Sequence, residues 1–172
     1  MKLLAKFTDT PWFWLGIFFT CVSLLGSALF YQHVLKTYPC EVCIYIRVWL
    51  AAIALISLAG LVLKRWHWSK ITSLVLLTGL ALGLTSEVWA ILQIEYNLGH
   101  GGACSYFANF PSWAKLDHWL PAVFEVQEAC AATPKVLFGL SMADGLVAVS
   151  LGFVVAFILS LISIVSAKHD AT

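Results

Sequence analysis

Four stretches of this chain are each long and apolar enough to cross a lipid bilayer: residues 12–30, 42–63, 71–94 and 146–165. Spanning the hydrocarbon takes about 20 mostly apolar residues as a helix. A helix is required because lipid offers no water to satisfy backbone N–H and C=O groups. The first and last stretches carry no charge, the second only Arg47 and the third only Glu87. Composition agrees: 61% hydrophobic against 11% charged leaves too little charged surface for a soluble domain of 172 residues. No internal repeat or low-complexity tract divides the chain. The expected fold class is therefore an all-α membrane protein, one four-transmembrane-helix bundle over residues 1–172. Lys2 and Lys6 precede the first stretch as in a signal peptide. The apolar run is too long for one and no clear small-x-small cleavage site follows, so an uncleaved first helix is expected.

The net charge of +1 points to no nucleic-acid partner, but its distribution orients the bundle. Lys2, Lys6, Lys64, Arg65, Lys70 and Lys168 fall at the two ends and in the second connection, which four spans place on one side. The other side holds Lys36, Lys115 and Lys135, diluted among Glu41, Glu95, Asp117, Glu125, Glu128 and Asp144. The positive-inside rule puts both termini in the cytoplasm and the connections 31–41 and 95–145 outside. Of five cysteines, Cys21 lies within the first span. Cys40, Cys43, Cys104 and Cys130 lie in or beside the two outward loops. Outward compartments of this kind let disulfides form and persist, and four cysteines read as two redox or structural pairs.

Pro39-Cys40-Glu41-Val42-Cys43 places a C-x-x-C where a membrane helix is expected to start near Val42. Cys43 would occupy the first turn, where the helix dipole favours a thiolate. Arg47, four residues on, would lie on the same face about 6 Å deeper. A cation within a span is costly and is a functional candidate by default. It could stabilise the thiolate and donate hydrogen bonds to a quinone carbonyl. Zinc ligation and a static disulfide are the competing readings of C-x-x-C. Cys104 and Cys130 form no second C-x-x-C, which argues against zinc, and no metal site is expected. For that second pair a structural staple and a relay disulfide stand nearly level. The Gly99, Gly101 and Gly102 tether before Cys104 suits the relay.

Glu87 is placed at a depth comparable to Arg47, so it is expected to pair with Arg47 or to handle quinone protons. His33, near Cys40, is a candidate for assisting proton transfer, although an interfacial histidine is the plainer reading. His100 reads as loop decoration and Cys21 as packing. Residues 109–127 place Trp113, Leu116, Leu120 and Val123 at helical spacing, interrupted at Pro121. A short interfacial helix in the headgroup plane is expected, against a loop folded back on the bundle.

Gln32-His33-Val34 and Pro39-Cys40-x-x-Cys43-Ile44-Tyr45-x-Arg47 resemble the first outward loop and quinone-side motif of the disulfide bond formation protein B (DsbB) family. Cys104, Phe110-Pro111-x-Trp113, Leu116-Asp117-x-Trp119-x-Pro121-x-Val123-Phe124 and Cys130 resemble its second loop, and the likeness covers nearly the whole chain. The resemblance implies a bacterial inner-membrane enzyme that reoxidises a periplasmic thioredoxin-fold dithiol protein (DsbA-like). The partner would attack Cys104 of a Cys104–Cys130 disulfide, and Cys130 would then attack Cys40. Cys43 would pass the electrons to a membrane quinone, ubiquinone or menaquinone, with Arg47 polarising its carbonyl. Departures are Glu41 inside the C-x-x-C, where a negative charge is expected to raise the cysteine pKa values, the glycine run before Cys104, and Met142-Ala143-Asp144-Gly145 before the last span. The competing reading is a non-enzymatic membrane scaffold whose two disulfides staple its loops.

Overall fold

The computed structural model describes residues 8, 10–63, 66–96, 107–112, 114–128, 135–137 and 140–169. Four long helices make the bundle: α1 (Pro11–His33), α2 (Glu41–Leu63), α3 (His67–Glu95) and, at the end of the chain, α6 (Met142–His169). Each apolar stretch lies inside one of them, and all four qualify as membrane spans by length and hydropathy. Only 22% to 39% of each span's most apolar window is buried within the bundle. The remainder, including Leu55, Val62, Leu82 and Val155, points outward. Such a surface is tolerable in lipid and not in water, and the chain is accordingly a multi-pass membrane protein.

Helix ends follow from local chemistry. Pro11 opens α1, where its missing N–H costs nothing. Beyond His33 the chain reverses through Lys36, whose φ of 53° lies in the left-handed region, and the Thr37 N–H bonds back to the Tyr31 carbonyl. Two glycines let aromatic rings approach across helices. A Cβ on Gly60 would collide with the Trp14 ring, and one on Gly83 would lie 2.5 Å from the Trp49 ring. Trp14 is fully buried, with its indole N–H on the Thr8 carbonyl. Buried Ser57, Ser150 and Ser160 donate to carbonyls of their own helices, so none needs water.

In the bundle α1 packs on α2, α2 on α3, and α3 on α6. Among the described residues α1 and α6 show no comparable packing. Between α3 and α6 the described chain forms two single helical turns, α4 (Leu116–Trp119) and α5 (Pro121–Phe124), and a two-stranded antiparallel ribbon, β1 (Lys135–Leu137) with β2 (Leu140–Ser141). The helical spacing expected here, interrupted at Pro121, is realised as two separate turns. Leu120 precedes proline, which disfavours helical backbone, and it adopts φ −139°, ψ 66°. The piece after this break folds back on the bundle, with Phe124 buried. Ser141 and Asp144 cap α6 reciprocally, each accepting the other's backbone N–H.

Candidate redox site

Pro39 ends the extended approach to α2, and Cys40 becomes the residue that caps the helix: its carbonyl accepts the Ile44 N–H at 3.1 Å. The helix therefore starts at Glu41, and Cys40, not Cys43, holds the capping position. Both are free thiols, their sulfurs 2.8 Å apart. A disulfide needs about 2.05 Å, so small movements connect the open and closed pair. The Cys40 thiol is pulled down to about 7, chiefly by a hydrogen bond from the Cys43 thiol. Burial opposes this, and the backbone N–H groups of Cys43, Cys40 and Val42 assist it. Cys43 lies in the first turn of the helix, as expected, and Cys40 precedes it at the cap. The Glu41 carboxylate accepts the Tyr45 hydroxyl at 3.1 Å, one turn along the helix.

Arg47, one turn deeper than Cys43, is 5% exposed. One terminal nitrogen, Nη1, donates to Gln32 Oε1 at 2.6 Å and to the Val123 carbonyl at 2.7 Å. Gln32, itself 4% exposed, turns its Nε2 toward the Ala122 carbonyl and Gln127 Oε1, both at 3.4 Å. The Gln127 and Glu128 N–H groups donate to the Pro39 carbonyl at 3.0 and 3.3 Å. A buried guanidinium left without acceptors would be costly, whereas hydrogen bonds to a charged group contribute about 1.5–3 kcal/mol each. The arginine thus ties the segment around Val123 to α1 and α2, beside the C-x-x-C.

Between α1 and α6, against α2, lies a cavity of about 670 Å³. Leu24, Ala28, Leu50 and Val149 give it apolar walls, and Cys43 and Arg47 stand together on the α2 side. Ligand cavities typically occupy about 300–1,000 Å³, with apolar walls and a few polar groups. Glu87 and His33 do not line this cavity. Half-buried Glu87 takes a hydrogen bond from the Trp49 indole. Arg47 bonds instead to Gln32 and Val123, so the expected Glu87–Arg47 pair is not formed; equal depth did not mean a shared face. His33 is exposed at the end of α1. Cys21 is buried in the core, in keeping with packing. Cys104, Cys130, His100, Trp113 and the glycine tether lie outside the described residues.

The sequence reading assigned no role to Gln32, the Pro39 carbonyl or Tyr45. A lone amide at the end of an apolar helix was a usable signal for Gln32, since burying it requires a partner. The Pro39 carbonyl acts as a backbone group, and the Tyr45 hydroxyl meets a backbone N–H, that of Asn109, which no side-chain pattern announces.

The family model for disulfide bond formation protein DsbB matches residues 10–160. A disulfide bond formation protein B from Shewanella denitrificans is 31% identical over 165 residues, covering 92% of this chain and 91% of that protein. Proteins of the same description from Photobacterium profundum (32% identical; 100% and 98% covered) and Yersinia pestis (34%; 87% and 85%) are similarly related. With four apolar helices, a C-x-x-C at a helix mouth and a family match across most of its length, this chain belongs to the DsbB family of membrane disulfide bond formation proteins.

Proposed function

We propose that this protein reoxidises a thioredoxin-fold dithiol protein and delivers the electrons to a membrane quinone held in the cavity between α1 and α6. The observation that carries the reading is the shared wall: Cys43 and Arg47, one helical turn apart, both face a largely apolar space of about 670 Å³ that Ser27, Thr37 and Asp144 also line. A flat, lipid-soluble acceptor with polar carbonyls fits such a space. When bound, a quinone supplies the sink for two electrons and two protons. The charge distribution supports the inner membrane as the location, with both termini cytoplasmic and the cysteine-bearing loops in the periplasm.

The chain's own residues would act as follows. A partner thiolate attacks Cys104 of a Cys104–Cys130 disulfide, forming a mixed disulfide and releasing the Cys130 thiolate. Cys130 attacks Cys40; the Cys130–Cys40 bond forms, the Cys40–Cys43 bond breaks, and Cys43 leaves as a thiolate. With Cys40 now in a covalent bond, the thiol pair that favoured charge on Cys40 no longer exists. The Arg47 cation is then the group that holds negative charge on Cys43. The partner's second thiolate attacks the partner sulfur of the mixed disulfide, so the partner leaves oxidised and Cys104 is released as a thiolate. Cys104 attacks Cys130; the Cys104–Cys130 bond forms, the Cys130–Cys40 bond breaks, and Cys40 departs readily because low-pKa thiols leave faster. Cys40 and Cys43 would then re-form their bond, the two electrons given up being taken by a quinone in the cavity.

The test is turnover. Purified full chain receives a reduced thioredoxin-fold protein and a quinone without oxygen, and quinone absorbance is followed. The proposal expects one quinone reduced per dithiol oxidised, abolished by Cys43→Ser. A loop-stapled scaffold would transfer no electrons.

A further inference from the structure

The last long helix opens on Met142-Ala143-Asp144-Gly145, with Asp144 in its first turn. Part of the role of Asp144 is local. Oδ2 accepts the Ser141 N–H at 3.2 Å, and Oδ1 accepts the Tyr96 hydroxyl at 3.1 Å, which ties the end of α3 to the start of α6. The helix dipole favours a carboxylate at this position. A carboxylate offers about four lone-pair sites, so these bonds do not exhaust it. Asp144 also lines the cavity between α1 and α6, and among the described residues it is the only acid there. Its side chain is half-buried and Tyr96 beside it is exposed, so the carboxyl group stands between the surface and the cavity.

Reduction in the cavity needs protons as well as electrons. Closing the Cys40–Cys43 bond gives up two electrons. The two protons come from outer water, where the partner's thiols leave theirs. Most wall groups cannot carry them. Arg47 is a guanidinium, which is not deprotonated in proteins. Cys43 enters the step as a thiolate, with no proton to give. Tyr31 and Tyr38 on the cavity wall are phenols, and phenols are far weaker acids than carboxyl groups.

We propose that Asp144 is the proton carrier of the cavity, its carboxyl group taking a proton from outer water and giving it to an oxygen of the bound quinone. The inference rests on the quinone reading above. In each transfer the Asp144 O–H bond breaks, an O–H bond forms on the acceptor, and water reprotonates the carboxylate. Two transfers, with the two electrons from the cysteine pair, convert quinone to quinol, and nothing else is consumed. The charged neighbours of the group are Arg47, on the α2 wall of the cavity, and Glu95, beside Tyr96 at the end of α3.

Two measurements on the full chain in detergent test this. In the first, the reduced chain is mixed anaerobically with a short-tailed benzoquinone, and quinone absorbance is followed. Asp144→Asn keeps an acceptor for the Tyr96 and Ser141 bonds but is no acid. It should slow quinone reduction about a hundredfold, at the lower end of what a general acid contributes. Asp144→Ser, a second acceptor that is no acid, should match it. Asp144→Glu should keep most of the rate, and formate, a small carboxylic acid, should restore part of it to Asp144→Asn. The second measurement needs no turnover. In a Cys43→Ser chain, which passes no electrons, affinities for the same quinone and its quinol are compared. A charged acceptor makes roughly twice as strong a hydrogen bond as a neutral one, so Asp144→Asn should cut the preference for quinol about fivefold. A parent-like rate in Asp144→Asn and Asp144→Ser overturns the proton role. So does an unchanged quinol preference, and so does a loss that neither Asp144→Glu nor formate restores, which is the result a purely structural cap gives. If the Cys43→Ser chain with Asp144 intact binds neither form, the quinone reading itself falls, and this inference with it.

Discussion

Replacing Cys43 with alanine tests the electrostatics of the helix mouth. The Cys40 thiol lies at about 7 against an ordinary 9.0. A shift of that size favours its thiolate by roughly 3 kcal/mol. The largest contributor is the hydrogen bond from Cys43, and a hydrogen bond to a charged group contributes about 1.5–3 kcal/mol. Cys43→Ala should therefore raise the Cys40 pKa by roughly one to two units, while the backbone N–H groups remain. The assay is the pH dependence of alkylation at residue 40 in the fully reduced protein, with the adduct located by mass. In the parent the rate should reach half its plateau near pH 7; in the variant the half-point should move to roughly pH 8–9. The linkage sign is fixed. A pKa depressed by folding contributes stability that is fully present above the unfolded value of 9.0 and is lost as pH falls through about 7. The parent should thus gain thermal stability between those values, and the variant should gain less. A half-point near 7 in Cys43→Ala would refute the assignment of the shift to the thiol pair.

Two further substitutions probe the supports of the site. Gln32→Leu removes the 2.6 Å acceptor of Arg47 and both contacts to the loop arm. It should lower stability by about 2 kcal/mol in detergent unfolding, since a buried cation loses a partner; a variant as stable as the parent would contradict the network. Gly83→Ala brings a methyl group to 2.5 Å from the Trp49 ring and should cost about 1–3 kcal/mol through overpacking. Gly79→Ala on the same helix meets nothing within 4 Å and should cost nothing. Equal melting of the two variants would show that the Trp49–Gly83 approach is not tight.

The four helices were legible because a bilayer imposes a length and a polarity that few sequences meet by accident. The C-x-x-C and Arg47 were legible for the same reason: a charge inside an apolar run is conspicuous. What escaped depended on geometry finer than the pattern. The helix starts at Glu41, beside the expected Val42, but the cap carbonyl of Cys40 is a backbone feature the C-x-x-C spacing does not reveal. Glu87 and Arg47 were compared by depth, but the direction of each side chain depends on helix phase and on Trp49. The interruption at Pro121 was legible, and it divides residues 116–124 into two turns. The ribbon of Lys135–Leu137 with Leu140–Ser141 has too few residues to show alternation.

A single-turnover measurement addresses the central claim without any partner protein. With Cys104 and Cys130 changed to serine, the reduced Cys40–Cys43 pair is mixed anaerobically with a quinone. The account predicts one quinone consumed per pair, with a Cys40–Cys43 disulfide formed, and a much slower reaction in Arg47→Met. Thiols that stay reduced while quinone absorbance stays constant would contradict it.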